Sequence, residues 1–268
     1  MTQSAIVQSI ASAREAIGTR AAQHIDLCFR RMMSGQGAEL GDGYLSMVTG
    51  ELHPLGNVAI VSDPGDLGIT RTAIAPLLDC GFPTSVLYSE GVSPTTSQAL
   101  LALGYENQGA IPAMAVDIDR LAETTSPPGY DFARIGDGDD GRAWTDAFAF
   151  GYDLPRGLAR LFSPECLGAD MAPDAQTQFF AIHHNGRLVA TSLMYLADGL
   201  AGIYCVATLA EARGKGLGAH VTAEPLRIAQ RLDYRVGVLQ ASTAGHPIYL
   251  RLGFADCGGV PMFIRMPA

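Results

Sequence analysis

The hexapeptide Arg213-Gly-Lys-Gly-Leu-Gly218 has the composition of a phosphate-binding loop. Alternating glycines permit a backbone with positive φ and leave no Cβ in the path of a ligand. The pattern predicts a strand before the loop, over 203–208, and a helix after it, over 219–232. The first N–H groups of such a helix are unpaired and can hold a phosphate or pyrophosphate. Arg213 and Lys215 add positive charge. For the hexapeptide alone, a flexible loop with incidental basic residues is an equal alternative.

The composition limits what the partner of this loop can be. The 268 residues are 48% hydrophobic and 17% charged, which predicts one large or two modest packed domains. The formal net charge is −9, whereas nucleic acids and anionic membranes require dense Lys and Arg as partners. A basic loop in an acidic chain instead indicates a small anionic ligand bound at one place.

The cysteines and the N-terminus predict a cytoplasmic protein. The five cysteines are scattered and form no CxxC pair, which is typical of free thiols in a reducing compartment. We find no signal-peptide pattern and no apolar run long enough to span a membrane. The histidines show no metal-ligand spacing, so no metal site is expected.

Alternating helix and strand patterns must position the loop. Predicted strands cover 44–49, 57–61, 83–88, 113–117, 132–135, 179–183, 188–196, 200–208, 235–240 and 262–266. Predicted helices cover one or two segments ending near Gly35, then 67–78, a segment from Ser93 to about 103, 142–150, 154–162, 219–232 and 246–252. Pro225 removes the bond to the Val221 carbonyl and predicts a kink. The polar, proline-rich stretch 124–129 is a predicted linker.

An internal repeat predicts two related domains. Gly104 and Gly253, Gly109 and Gly258, and Pro112 and Pro261 are each 149 positions apart, and the element order before them agrees. The copies differ in their loops. Where the second copy has the basic hexapeptide, the first has 63–68, in which Asp63 and Asp66 would repel a pyrophosphate. We therefore expect one phosphate site, in the second copy.

The combination resembles the GNAT superfamily of N-acetyltransferases, because the loop and strand are followed by Tyr249-x-x-x-Gly253-Phe254. In that family an R/Q-x-x-G-x-G/A loop binds the pyrophosphate of acetyl-CoA, and Arg213, Gly216 and Gly218 fill its positions. The whole chain resembles tandem-domain members, such as the mycothiol synthase-like small-molecule acyltransferases. The implied fold is α/β (α+β), with two GNAT-like mixed-sheet domains in tandem. Residues 1–125 would form a degenerate domain and 130–268 the catalytic, acetyl-CoA-binding domain.

The resemblance also implies how the cosubstrate lies. Its pantetheine arm would run beside the end of the strand 203–208, where backbone groups of Val206 and Thr208 would pair with its amides and an N–H could polarise the thioester oxygen. Ser242 stands where many relatives have an Asn that contacts the cofactor. The implied cofactor-binding set is Val206, Ala207, Thr208, Arg213, Gly214, Lys215, Gly216, Leu217, Gly218 and Ser242.

For the chemistry, the resemblance makes Tyr249 the acid. A phenol with a pKa near 10 can protonate a thiolate with a pKa near 8.5 at modest cost; the alternative is a residue that only packs. The sequence does not identify the general base. Candidates in loops that could face the cleft are Glu51, His53, Asp153 and Glu165, each with a plain solvated role as the alternative. His53 and Asn57 are the expected substrate-binding residues.

The sequence therefore predicts an N-acetyltransferase. It would move acetyl, or another short acyl group, from CoA to a small-molecule amine by direct attack, without metal, nucleic acid or membrane. The chain is compatible with a homodimer. The alternative is a noncatalytic acyl-CoA sensor or assembly module, since no base is evident. A transferase using aminoacyl-tRNA is a third reading, which the acidic charge opposes.

Overall fold

A computed structural model of the chain describes residues 3–63, 65–89 and 91–267. Pro64, inside the acidic loop of the first copy, lies outside the described residues. The helices are α1 Gln3–Met33, α2 Leu67–Leu78, α3 Pro94–Ala102, α4 Asp139–Tyr152, α5 Arg156–Leu161, α6 Pro164–Leu167, α7 Leu217–Arg231 and α8 His246–Leu252. The strands are β1 Glu39–Gly41, β2 Tyr44–Val48, β3 Asn57–Val61, β4 Thr84–Tyr88, β5 Glu106–Asp117, β6 Tyr130–Ile135, β7 Thr177–His184, β8 Arg187–Ala197, β9 Leu200–Thr208, β10 Val236–Gln240 and β11 Ala255–Arg265.

All eleven of these strands form one mixed sheet, which confirms the predicted α/β class. The order is β1-β2-β3-β4-β11-β5-β10-β9-β8-β7-β6. We call residues 3–120 the first lobe and residues 130–267 the second lobe. In each lobe a set of antiparallel strands, β1-β2-β3 or β6-β7-β8-β9, is followed by one parallel pair, β3 with β4 or β9 with β10. The lobes exchange their last strands, because β11 lies between β4 and β5 while β5 pairs with β10.

The two lobes end their last helices with the same hydrogen-bond motif. In the first lobe, the N–H of Tyr105 donates to the carbonyl of Leu100 at 3.1 Å, and Gly104 has φ 84°. In the second lobe, the N–H of Phe254 donates to the carbonyl of Tyr249 at 3.0 Å, and Gly253 has φ 100°. Such caps need a left-handed residue, which explains the repeated glycine. Leu100, a buried apolar residue, is thus the counterpart of Tyr249.

The pair β9 and β10 separates partway along its length. Among the described residues, β10 pairs with β9 only from Leu200 to Gly202, although β9 continues to Thr208. Beyond that point Cys205 adopts φ 52°, and the register with β8 shifts, which marks a β-bulge. The Thr191 hydroxyl donates to the Cys205 carbonyl at 2.9 Å and holds the bulge. The result is an open slot beside the second half of β9.

Helix α7 continues past Pro225 to Arg231. Proline removes one hydrogen bond to the carbonyl four residues earlier. That carbonyl, of Val221, instead accepts a 2.7 Å hydrogen bond from the hydroxyl of Ser192, a fully buried residue of β8. The substitute partner allows the helix to extend beyond the proline.

Some elements are longer than the sequence predicts. The first helical segment is a single 31-residue helix, α1, and β11 begins at Ala255 rather than near 262. The early part of β11 is glycine-rich, and α1 crosses it closely: a Cβ on Gly18 would overlap the Cys257 carbonyl, and Gly258 lies against Gly18. The glycines that suggest a loop are therefore a contact surface for α1.

Candidate active site

The basic loop leaves the N-terminus of α7 open. Gly214 and Gly216 have φ 78° and 79°, and Gly216 caps the helix without any side-chain hydrogen bond. A Cβ on either glycine would meet no atom within 4 Å, so glycine serves the backbone conformation and the approach of a ligand rather than packing. The Arg213 guanidinium donates to the carbonyls of Thr208 (3.0 Å) and Gly151 (3.2 Å) and remains exposed. Charge and free N–H groups thus meet at one surface.

The loop of the first lobe is closed by its own side chains. The Asp66 carboxylate accepts the N–H groups of Gly68 at 2.6 Å and Ile69 at 3.4 Å, and so caps α2. Asp63 accepts the N–H of Gly65 at 3.1 Å. The donors that α7 leaves free are therefore taken in α2, and two negative charges stand where a phosphate would bind.

A cavity of about 810 Å³ lies between the lobes and meets the slot beside β9. Its walls come from α1, the turn before β3, β5, β11, α4, α5, the ends of β9 and β10, and the start of α8. Four residues singled out in the sequence line it: His53, Val206, Ser242 and Tyr249. The tertiary structure therefore brings the expected acid, the strand end and one expected substrate contact into the same space.

The remaining residues of the expected cofactor-binding set lie around the loop and slot. Ala207 is buried under α4, where a Cβ on Gly151 would come within 2.6 Å of it. Lys215 Nζ donates to the Glu211 carbonyl at 3.1 Å. Leu217 is the first residue of α7 and is buried, and Gly218 follows it in the first turn. Ser242, at the entry to α8, accepts the N–H of Gly245 at 3.1 Å.

Tyr249 is 7% exposed and contributes its ring to the cavity. Burial raises the pKa of its phenol to about 12, while a hydrogen bond with Thr222 opposes the rise. A Cβ on Gly245 would lie 2.8 Å from the ring, so the tight turn into α8 needs a glycine there. Tyr152 lines the same cavity with 45% of its surface accessible; desolvation of its hydroxyl and the nearby Tyr249 raise its pKa. Both phenols remain protonated at neutral pH.

His246, which sequence reasoning missed, lines the cavity one turn before Tyr249 on α8. Its Nε2 lies 2.8 Å from Asp256 Oδ1. A carboxylate can only accept, so Nε2 carries the proton and Nδ1 of the neutral ring keeps a free lone pair. The only sequence signal was the three-residue spacing from Tyr249, because Asp256 lies on β11 and nothing local links it to the helix.

Among the residues proposed as the base, His53 alone lines the cavity. Its Nδ1 accepts the N–H of Leu55 at 3.2 Å, so the neutral ring carries its proton on Nε2 and presents a donor. Burial lowers the pKa of His53, which keeps it neutral. It is therefore a poor proton acceptor unless it breaks its bond to Leu55.

The three acidic candidates stand outside the cavity lining. Glu165 forms a 2.8 Å ion pair with Arg156. Asp153 is the exposed left-handed residue that ends α4, with φ 56°. The Glu51 carboxylate lies against Gly157, where a Cβ would overlap it. Each has a structural explanation for its position.

Asn57 is fully buried and its amide is engaged by the backbone. Its Oδ1 accepts the N–H groups of Thr49 and Gly50 at 3.1 and 3.0 Å. Its Nδ2 donates to the carbonyls of Glu51 at 2.8 Å and Pro83 at 2.9 Å. Asn57 thus shapes the turn that carries His53 and has no group left for a substrate.

The described residues lack the features of two other classes of site. Within them, no helix combines the length and the apolar character needed to cross a lipid bilayer. The same part of the chain contains no group of three or more His, Cys, Asp or Glu side chains placed to hold a metal ion.

Comparison with known proteins finds a family model that matches part of the second lobe. Residues 145–254 match the model of the acetyltransferase (GNAT) family. A GCN5-related N-acetyltransferase from Kribbella flavida has a TM-score of 0.62 at 18% identity, covering 90% of this chain and 95% of that one. One from Sphaerobacter thermophilus has a TM-score of 0.59 at 18% identity, covering 87% and 83%. A functionally unknown conserved protein from Staphylococcus epidermidis has a TM-score of 0.60 at 14% identity, covering 86% and 94%. At these identities the likeness establishes the fold. No curated protein sequence matches the chain.

Proposed function

We propose that the chain is a GNAT-type acetyltransferase that transfers acetyl, or another short acyl group, from acyl-CoA to the amine of a small molecule; the match of residues 145–254 to the acetyltransferase (GNAT) family model supports this. One observation carries this proposal. The uncapped glycine loop of α7 adjoins a strand slot that opens into a cavity lined by Tyr249 and His246, and Asp256 contacts His246 from outside the lining.

The residues of the loop and slot fit an acyl-CoA. The free N–H groups at the start of α7, with Arg213 and Lys215, would hold the pyrophosphate. The exposed edge of β9 from Val206 to Thr208, left unpaired by β10, would hold the pantetheine arm through backbone hydrogen bonds. The bound cosubstrate supplies an activated thioester, whose C–S bond is exchanged for a C–N bond.

His246 is proposed as the proton acceptor. Most free amines are protonated at neutral pH, so nucleophilic nitrogen appears only after a proton is removed. Nδ1 of His246 can take that proton, while Asp256 orients the ring and stabilises the imidazolium that forms. This arrangement would allow direct attack although no carboxylate is among the described cavity-lining residues.

Tyr249 is proposed as the proton donor to the leaving thiolate. Its pKa of about 12 makes it a weaker acid than an exposed phenol. Burial disfavours a thiolate as it disfavours a phenolate, because both are anions leaving water. A thiolate formed in the same cavity is therefore more basic than in water. The pKa of the thiol rises together with the pKa of the Tyr249 phenol, so proton transfer between them stays feasible. His53, with its Nε2–H, would donate to a neutral oxygen of the substrate.

Cofactor binding and turnover test this function separately. Acetyl-CoA at 100 times its Kd should add about 2.7 kcal/mol to the free energy of unfolding and so raise Tm. A panel of amines with acetyl-CoA should release free CoA thiol. Absence of any Tm shift at millimolar acetyl-CoA would refute the proposal. A shift without amine-dependent thiol release would instead support the noncatalytic binding module.

A further inference from the structure

We propose that the acceptor is a primary amine on an apolar, uncharged body, without a carboxylate, a phosphate or a second ammonium group. This inference rests on the proposed function and specifies its substrate class. It follows from the side chains of the cavity and from where its polar groups lie.

Among the described residues that line the cavity, none is Asp, Glu, Lys or Arg. The walls away from the slot are built mainly from aliphatic and aromatic side chains. Examples are Phe29 and Met32 of α1, Phe148 of α4, and Leu158 of α5. A second charged group on the substrate would have to move from water into this space. No described lining residue is an Asp, Glu, Lys or Arg that could pair with it, so the transfer is strongly unfavourable.

Several polar groups of the walls are already used within the protein. The Tyr204 hydroxyl is bonded to Nδ1 of buried His24 at 2.8 Å. The Nε2 of Gln240 donates to the Ala21 carbonyl at 2.8 Å, while its Oε1 has no partner among the described residues. Both contacts are to α1, so these side chains offer a ligand little donor capacity. A carboxylate or a phosphate would therefore find few partners on that side of the cavity.

The groups suited to an amine gather at the start of α8. His246 and Tyr249 project from the first turn of α8, next to Ser242 and the end of the slot. An amine that gives its proton to His246 must enter the cavity, and the body attached to it must then occupy the apolar part. The acyl chain of a long acyl-CoA is the alternative occupant of the apolar part of the cavity. Amines and acyl-CoAs of increasing chain length distinguish these two occupants.

The first experiment measures kcat/KM for straight-chain 1-aminoalkanes from propyl to octyl with acetyl-CoA, by thiol release. Each buried methylene should raise kcat/KM about fourfold until the cavity is filled. Diaminoalkanes and ω-amino acids of matched length should react at least about tenfold less efficiently, because a charge must be buried. Equal or better rates with the charged amines would overturn the inference. So would a rate that rises with acyl length, from acetyl- to octanoyl-CoA, but not with amine length.

The second experiment places a charge in the cavity. Leu154 and Leu55 are partly buried lining residues, so Leu154→Glu and Leu55→Glu each add a carboxylate at the wall. Either variant should shift the ratio of kcat/KM for diamine over alkylamine at least about tenfold toward the diamine. Leu101→Glu, at a half-exposed position of α3 outside the lining, should leave that ratio unchanged. An unchanged ratio in both folded cavity variants would contradict the inference.

The acetyl-CoA Tm shift keeps the two proposals distinguishable, and it also verifies that each variant is folded. No shift and no thiol release with any amine would refute the proposed function, and this inference with it. A normal shift with turnover of charged amines alone would refute only the substrate class.

Discussion

His246 Nε2 lies 2.8 Å from Asp256 Oδ1, although one residue opens α8 and the other lies on β11. The carboxylate determines which ring nitrogen carries the proton and leaves Nδ1 as the acceptor. In the proposed mechanism this pair supplies the proton acceptor, since no described Asp or Glu lines the site.

Replacing His246 with Gln should lower kcat/KM for the amine by about 10²–10⁴-fold at pH 7.5, because general base catalysis typically contributes that much. The acetyl-CoA Tm shift should persist, since the loop is untouched. His184→Gln is a control at a histidine outside the cavity, where the ring bonds to the Gly129 carbonyl. Wild-type turnover by the His246 variant would exclude this residue as the base.

Asp256→Asn should also reduce turnover, by about ten- to a hundredfold, through the tautomer of His246. An amide N–H that donates to Nε2 moves the ring proton to Nδ1 and removes the lone pair that accepts the substrate proton. Asp256→Glu should recover part of the activity, because it restores an acceptor. The KM for acetyl-CoA should be unaffected in both variants. Full activity of Asp256→Asn would show that Asp256 does not position His246.

Tyr249→Phe should lower kcat far more than it changes the KM for acetyl-CoA. Because the pKa of Tyr249 is about 12, its proton stays in place throughout an ordinary assay range. The wild-type rate should therefore show no decline between pH 8 and 10 that depends on Tyr249. Rate profiles of the two proteins over that range check this. A decline present in the wild type and absent from the variant would contradict the assigned pKa.

Gly216→Asp should abolish the Tm shift caused by acetyl-CoA. The substitution places a carboxylate at the start of α7 and a side chain on a residue with φ 79°, which disfavours any residue with a Cβ. Asp66→Asn in the first lobe is the matched control, because Asn retains a cap for α2. That variant should keep the full shift. If Asp66→Asn lost the Tm shift while Gly216→Asp kept it, the cofactor would bind in the first lobe, which would contradict the prediction.

Buried His24 should make the fold sensitive to acid. Desolvation lowers the pKa of His24 from 6.5 to about 4. Between pH 6.5 and pH 4, His24 is therefore mostly protonated in the unfolded chain and mostly neutral in the folded chain. The contribution of His24 to the free energy of unfolding should be fully present above pH 6.5. The free energy of unfolding should then fall by about 3 kcal/mol as the pH drops toward 4. Urea unfolding of wild type and His24→Gln at pH 7.5 and 4.5 tests this. The variant should lose less stability on acidification; equal losses would count against His24.

Much of the fold and of the cofactor site could be predicted from short-range patterns. The alternating glycines of 213–218, the caps at Gly104 and Gly253, and the position of Tyr249 one turn before Gly253 depend on a few neighbouring residues. Backbone conformation, helix caps and amphipathic periodicity are local properties, so the sequence reveals them. The difference between the two loops is also local, because Asp66 caps the helix that directly follows it.

The tertiary structure alone decided the rest of the site. The exchange of β5 and β11 places Asp256 beside α8, and the crossing of α1 at Gly18 sets one wall of the cavity. The same packing brings His53 to the cavity and leaves Asn57 bonded to the turn before β3. The contact of Gly18 with Cys257 joins residues far apart in the chain. The His246–Asp256 contact and those of Asn57 with this turn join residues within ten positions of each other, but they depend on strand register and helix packing. Their energies depend on the assembled sheet, and no local pattern encodes them.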